Sequence, residues 1–579
     1  MAKKSKPVAA NDTAPKALYG VSSSSGGTTG GMAIVEQLIA NGVDTVFGLP
    51  GAQMYPLFDA LAQRTEHIRT YGARHEQACG YMAFGYARST GKPGIYAVVP
   101  GPGMLNTTAA LATALGTCQP VLCITGQVPS QFLDRGRGHL HEIPDQLGVL
   151  SRLTKWSARI ERPADAPAIV NEAFRQMQTG RPGPVAVEMA WDVMASSAEV
   201  SPLPRAQLTH SLPASSDEIE KAAELLVKAE RPMIFLGSGA QHARAEVLAL
   251  AEATGAVVTA FRGGRGVVPE DHLLGISSAT AHRLWPDTDV AIGIGTRMEL
   301  PLMRWTGMMT MIDRPSAPPH YIRIDIDPAE MRRLRVHAPV VADAADGARA
   351  LLAAVKRRLG KSAHAGTRPQ NMQRIEAARK QTAKAIRKIQ PQMDYLDAIR
   401  SVLPRNGILV EELCQVGFTS YFGYDVYEPR TYISPGFQGT LGYGFPTALG
   451  VKAAHPDRPV ISIAGDGGFM FGVQEMATAV QERIGLITIL FNNNAYGNVL
   501  RDQRVGFSNR IIGAALHNPD FQALGRAFHC ETFVASSPAE LRAILERVID
   551  TKEPVLIEVQ LATGSETSPW EFIHPKPKA

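Results

Sequence analysis

The chain has 579 residues, 45% of them apolar, with 59 basic against 54 acidic residues and a formal net charge of +5. That length implies roughly three or four domains with cores of their own, and a charge this balanced argues against a nucleic-acid partner. No run of about 18 apolar residues occurs, so no membrane partner is expected.

The five cysteines (Cys79, Cys118, Cys123, Cys414, Cys530) are scattered and form no C-x-x-C pair, which fits neither a zinc site nor a disulfide framework. A reducing cytoplasmic location is the expectation. The first residues, MAKKSKPVAANDTAPK, are followed by no apolar segment and do not read as a secretory leader. SSSSGGTTGG comes next, and residues 1–28 are expected to form a disordered arm.

From there the pattern alternates between strands and helices. Met32 to Asn41 predicts a helix, and Thr45 to Gly48 a buried strand ended by Leu49-Pro50-Gly51. Arg74-His75-Glu76-Gln77-Ala78 opens a helix expected to reach Tyr86, and a glutamate in a first helical turn suits the macrodipole. Ile95 to Val99 is a strand, followed by Pro100-Gly101-Pro102-Gly103 and a helix over Leu105 to Leu115. Strands at Pro120 to Thr125 and Pro184 to Glu188 complete a parallel-sheet domain over 29–195.

A Ser/Ala/Pro-rich linker covers about 191–214, and a second α/β domain spans 215–360. Its strands are read at Arg231 to Leu236, Ala256 to Ala260, Val290 to Gly293 and Tyr321 to Ile326, with a helix over Ala245 to Thr254. Gly237-Ser238-Gly239 begins a dinucleotide-type fingerprint, but His242 stands where its third glycine belongs. Residues 361–392 are charged and read as a solvated linker helix before a third domain over 393–579.

In that third domain Ile408 to Val410 is a strand and Glu411 to Phe418 its loop. Further on, Ile461 to Ala464 is a strand, Gly465-Asp466-Gly467-Gly468 a turn, Phe471 to Glu482 a helix and Leu486 to Phe491 a second strand closed by three asparagines. Parallel strands joined this way end on one edge of the sheet, where open α/β sheets bind ligands. Asp466 and Asn493, 27 residues apart, then sit side by side. A carboxylate and an amide oxygen suit Mg²⁺, and the glycines leave room for phosphate oxygens. Either feature alone is common in ordinary βαβ units; their spacing carries the signal.

GDG, a twenty-odd-residue spacer and NN resemble the diphosphate–Mg²⁺ motif of thiamine diphosphate enzymes. FGLPGAQ, RHEQACGYMAFGYAR, PGPGMLNTTAALATA and PVLCITGQVP resemble the pyrimidine-binding domain of the acetolactate synthase, benzaldehyde lyase and 2-oxo acid decarboxylase superfamily. The resemblance covers residues from about 29 to 565 and implies three doubly wound α/β domains: pyrimidine-binding, central and diphosphate-binding. It implies thiamine diphosphate and Mg²⁺ as cofactors. Asp466, Asn493 and the backbone carbonyl of Ala495 match the metal ligands. Gly465, Gly467, Gly468, Gln415 and Val416 match the diphosphate cradle, which Tyr496, Gly497, Asn498 and Val499 border. Leu441 takes the place of the apolar fulcrum between the cofactor rings, and the backbone of Gly439 faces the 4′-amino group.

The same resemblance makes Glu76 the partner of N1′ on the aminopyrimidine; taken alone, it is an ordinary first-turn carboxylate. A carboxyl facing an aromatic base in a dry cleft has its neutral form favoured, and the shared proton promotes the imino tautomer. His141 is a plausible proton carrier and Gln53 matches a polar position facing substrate. His139 is less favoured, and His75 is read as structural.

The expected chemistry is carbon–carbon bond formation or cleavage on a 2-oxo acid or aldehyde by an acetolactate synthase-like carboligase. The alternative is a 2-oxo acid decarboxylase or acyloin lyase. Three positions depart from acetolactate synthases: Asp502 replaces a tryptophan, the arginine for the second carboxylate falls near Pro301, and a Phe-Gln pair becomes His141-Glu142. RIDIDPAE resembles the central domain that binds FAD in those enzymes, but GISSATAHRLWP replaces its Gly-rich segment and argues against FAD. A homodimer or homotetramer with sites at the subunit interface is implied. Two readings from other classes stand beside these: a non-catalytic cofactor-binding protein, opposed by the intact Glu76 and metal motif, and a nicotinamide dehydrogenase resting on Gly237 to Gly239.

Overall fold

Three six-stranded sheets, parallel throughout, organise the chain. The computed structural model describes residues 27–208, 213–306 and 320–575; residues 1–26 of the expected arm lie outside them. Thr28–Thr29, at the arm's predicted end, pairs antiparallel with Ser197–Ala198.

The first sheet contains β1 (Thr45–Gly48), β2 (Arg69–Gly72), β3 (Gly94–Val98), β4 (Val121–Gln127), β5 (Trp156–Ile160) and β6 (Val185–Ala190), in the order β2-β1-β3-β4-β6-β5. The second contains β7 (Met233–Leu236), β8 (Val257–Ala260), β9 (Gly275–Ile276), β10 (Val290–Ile294), β11 (His320–Asp325) and β12 (Ala338–Val341), in the order β9-β8-β7-β10-β11-β12. The third contains β13 (Ile408–Val410), β14 (Tyr432–Ile433), β15 (Val460–Gly465), β16 (Ile487–Asn492), β17 (Glu531–Ala535) and β18 (Val555–Gln560), in the order β14-β13-β15-β16-β18-β17. Helices cover both faces, so central strands such as β4 are buried at every residue and read as continuous apolar runs. The first and third sheets share one order. The middle one has the order of a dinucleotide-binding fold.

Several elements differ from expectation. The helix expected over Leu105 to Leu115 divides into Pro102–Asn106 and Thr108–Gly116. Thr107 causes the break: its hydroxyl donates to the Met104 carbonyl at 2.7 Å and accepts from Tyr96 at 2.9 Å, competing with the helical ladder. Glu411 to Phe418 is not all loop, because a helix starts at Gln415 and runs to Gly423. The Gly-Asp-Gly-Gly turn is a short helix, Asp466–Phe469, and the longer helix after it begins only at Glu475. The strand β5 and the helix Ala166–Gln178 lie where nothing was expected. The charged linker does form a helix, Pro369–Ile386, yet Arg379 anchors it to the Leu273 carbonyl at 3.1 Å rather than leaving it free in solvent.

The first and third domains of one chain meet through two helices, Glu76–Thr90 and Gly444–Ala454, at residues that lack side chains. A Cβ on Gly85 would lie 2.2 Å from the Thr447 carbonyl oxygen, and one on Gly450 would lie 2.0 Å from that of Met82. Backbone touches backbone there. Among the described residues no helix is long and apolar enough to cross a membrane.

Candidate active site

The strands β13, β15 and β16 are neighbours, and their C-terminal ends bring the motif residues together at the switch point of the third sheet. Asp466 begins the short helix after β15 and is 2% exposed; Asn493 follows β16 and is 7% exposed. The Ala495 N–H joins them, donating to Asp466 Oδ2 at 3.2 Å and to Asn493 Oδ1 at 3.1 Å. Asn518 Nδ2 donates to the same Asp466 oxygen at 2.7 Å. Burial raises the Asp466 pKa, so the carboxylate is short of positive charge. Glu566 accepts from Asn493 Nδ2 at 2.6 Å, and burial, with Asp466 nearby, pushes its carboxyl up to about 7.

This donor set fits a hard divalent cation: one carboxylate, one carboxamide oxygen and local backbone. Among the described residues no cluster of three or more His, Cys, Asp or Glu side chains is placed to hold a metal. A diphosphate also fits beside it. Gln415 and Val416 open the helix after β13, and Gly467 and Gly468 open the one after β15, so two helix N-termini face the same edge. Gly467 must lack a side chain, because a Cβ would come within 2.3 Å of the Tyr496 ring. Gln415 Oε1 and Glu412 Oε2 are buried polar atoms with no hydrogen-bond partner among the described residues.

The loop carrying Gly439 and Leu441 lies against this edge. Gly439 adopts φ +57 and Gly442 φ +79, conformations that favour glycine. The Gly442 N–H donates to Glu412 Oε1 at 2.5 Å, and Leu441 beside it is half-buried. Burial pushes Glu412 up to about 7 and its neighbour Glu411 up to about 8.

On the first domain, Glu76 is the first residue of its helix, with His75 as the cap: His75 Nδ1 accepts from the Gln77 N–H at 3.2 Å. That is the structural role expected of His75. Asn106 Nδ2 donates to Glu76 Oε2 at 3.0 Å, and Gly103 leaves room for the carboxyl. Gln53 lies beneath the loop that carries Leu140 and His141. It is fully buried, donating through Nε2 to the Leu140 carbonyl at 2.6 Å and meeting His141 Nδ1 through Oε1 at 2.7 Å. Within the chain it therefore holds the His141 ring. Because Nε2 of Gln53 is committed to a carbonyl, its Oε1 must accept, which places the histidine proton on Nδ1 and leaves Nε2 with a lone pair. Burial lowers the His141 pKa despite the opposing charge of Glu76, so the ring is neutral near pH 7.

The remaining sequence candidates sit at the rim. Tyr496 to Val499 lead into the helix Gly497–Gly506; Asn498 accepts from Trp570 Nε1 at 2.5 Å, and Val499 is 45% exposed. His139 stacks on Phe132 with ring centroids 5.3 Å apart and caps nothing catalytic. Asn106, Glu412, Asn518 and Glu566 were missed by sequence reasoning. A lone asparagine or glutamate in a loop or tail carries no periodic or spacing signal.

A cavity of about 440 Å³ opens on the C-terminal edge of the middle sheet. Gly237 and Gly239 line it, and both are demanded by packing: Cβ atoms there would lie 2.1 Å from the Gly295 carbonyl oxygen and 2.9 Å from its Cα. His242 pairs with Asp343 at 2.9 Å. Arg88, Arg297 and Arg430 line the cavity, and among the described residues none of the three has a carboxylate within ion-pair distance. Burial and Arg430 pull Arg88 down to about 10.

The three parallel sheets and the residues gathered at their edges define a doubly wound α/β protein with a candidate cofactor site. Family profiles of the thiamine pyrophosphate enzymes match at residues 28–149 (N-terminal TPP binding domain), 219–351 (central domain) and 414–559 (C-terminal TPP binding domain). The probable acetolactate synthase large subunit of Methanocaldococcus jannaschii is 34% identical, covering 92% of this chain and 91% of its own. The acetolactate synthase isozyme 1 large subunit of Escherichia coli is 31% identical over 93% and 95%. The probable 2-ketoarginine decarboxylase AruI of Pseudomonas aeruginosa is 32% identical over 92% and 94%. The chain belongs to the thiamine pyrophosphate enzymes and is a thiamine diphosphate-dependent enzyme.

Proposed function

We propose that this chain is an acetolactate synthase-like carboligase, using thiamine diphosphate and Mg²⁺ to join part of a 2-oxo acid to a second carbonyl compound. The reading rests on full-length likeness to acetolactate synthases with Glu76 and the Asp466–Asn493 pair both in place. The bound cofactor supplies an acidic carbon and an electron sink; the protein supplies position and proton transfer. Asp466, Asn493 and the Ala495 carbonyl would hold the metal. Gly465, Gly467, Gly468, Gln415 and Val416 would cradle the diphosphate, bordered by Tyr496, Gly497, Asn498 and Val499. Leu441 and the Gly439 backbone would set the bend between the rings, a proximity effect. Glu76, oriented by Asn106, would hold the proton shared with the aminopyrimidine. His141 would accept or return a proton at Nε2, its tautomer set by Gln53.

A decarboxylase reading is favoured by the likeness to AruI and by a neutral histidine with a free lone pair. Pyruvate and 2-ketoarginine, offered separately with product analysis, decide between them. A carboligation product from pyruvate, acetolactate or acetoin, is expected; CO₂ and a free aldehyde as sole products from either substrate would establish the decarboxylase instead.

The site is proposed to form across a homodimer interface, with a homotetramer as a higher assembly, in the cytoplasm. The central cavity, with three arginines that have no ion pair among the described residues and a volume within the range of small-molecule sites, suits a phosphate-bearing nucleotide other than FAD, given GISSATAHRLWP. Mass spectrometry of the small molecules released on heat denaturation should then show a nucleotide distinct from thiamine diphosphate, with no 450 nm absorbance band. A 450 nm band would make the ligand FAD.

A further inference from the structure

We propose that Glu566 is a positioning residue that fixes which end of the Asn493 amide faces the metal, and so sets the site's metal affinity. The inference rests on the metal reading above and goes beyond it. An asparagine amide can ligate a cation only through Oδ1, and its two ends differ little in shape. Two contacts select one orientation here. Glu566 Oε2 takes the Nδ2 hydrogen at 2.6 Å, and the Ala495 N–H donates to Oδ1 at 3.1 Å. Rotating the amide by half a turn would set Oδ1 against a carboxyl oxygen and Nδ2 against an N–H. The contact between the two N–H donors would be repulsive in either state of the carboxyl, and the one between the two oxygens repulsive with Glu566 ionised.

Glu566 is itself held in place, because the segment after β18 is strapped along the metal loop. The Leu561 N–H donates to the Asn492 carbonyl at 2.8 Å, and Thr563 Oγ1 donates to that of Asn493 at 2.7 Å. Beyond Glu566, the Thr567 N–H donates to the Gln390 carbonyl at 2.9 Å, and Trp570 Nε1 reaches Asn498 at 2.5 Å. Partners of this kind typically alter metal affinity by roughly 10–100-fold when removed.

The test is Mn²⁺ binding to the full chain in the presence of thiamine diphosphate, read from the free-ion signal by electron paramagnetic resonance. Glu566→Ala should weaken Mn²⁺ by about 10-fold or more. Glu566→Gln, whose amide oxygen can still accept from Asn493, should restore affinity to within a few-fold. Glu566→Asp, one methylene too short, should behave like the alanine variant and covers the case in which that variant does not fold. The proposal is overturned if the alanine or aspartate variant binds Mn²⁺ within twofold of the wild type while Asp466→Asn has lost it. If Asp466→Asn also binds normally, the metal reading itself falls and takes the positioning role with it.

Discussion

Glu76→Gln is expected to lower kcat by about 100- to 10,000-fold while leaving cofactor affinity within a few-fold of the wild type. The side chain sits at the first turn of its helix, with one carboxyl oxygen accepting from Asn106 at 3.0 Å. Glutamine has the same shape, and its amide oxygen can still take that hydrogen bond, so the residue's position survives. Its amide cannot exchange a proton with a ring nitrogen. The loss should therefore appear in kcat, with KM for the carbonyl substrate little changed, and in slower hydrogen–deuterium exchange at C2 of the bound cofactor. Steady-state kinetics with the exchange measurement checks both; exchange at the wild-type rate would remove Glu76 from its assigned role.

Asp466→Asn is expected to act at the opposite point, on binding. The carboxylate is the only anionic side chain among the proposed metal ligands, and it is almost completely buried. Replacing it keeps the volume but removes the charge that opposes a divalent cation in a low-dielectric setting. The Ala495 N–H and Asn518 Nδ2 both donate to the same Asp466 oxygen, so an amide nitrogen at that place would lose both bonds. Mg²⁺-dependent cofactor affinity should fall by roughly 100-fold or more, beyond the effect typical of an outer-shell partner. Tryptophan quenching during thiamine diphosphate titration at several Mg²⁺ concentrations reads this directly. An unchanged saturation curve would refute it.

The three-domain α/β architecture was legible because buried parallel strands leave continuous apolar runs between helical stretches, as at β4, β15 and β16. Asp466 and Asn493 were legible for the same reason: each directly follows such a run, so the sheet registers them. Gln415 and Val416 were read as loop residues, yet they open a helix whose aromatic and glycine residues leave no apolar stripe to betray it. Thr107 escaped because its helix-breaking contacts involve Met104 and Tyr96, the second in another element. Gln53 is the opposite case. Its position was singled out for substrate, yet both ends of its amide are spent on the 140–141 loop. A residue's place is written in local pattern; the direction in which its polar atoms point is decided by neighbours far along the chain.

The glycine crossing between the helices Glu76–Thr90 and Gly444–Ala454 has a consequence for how lesions combine. Gly85 and Gly450 press backbone on backbone where the first and third domains of one chain meet, and on the proposed dimeric reading each chain lends halves to two different centres. On the dimeric reading, a chain damaged at Glu76 and another damaged at Asp466 are therefore not equivalent to one chain carrying both changes. Paired together, they assemble one centre with both defects and one with neither, so two inactive alleles complement each other in trans.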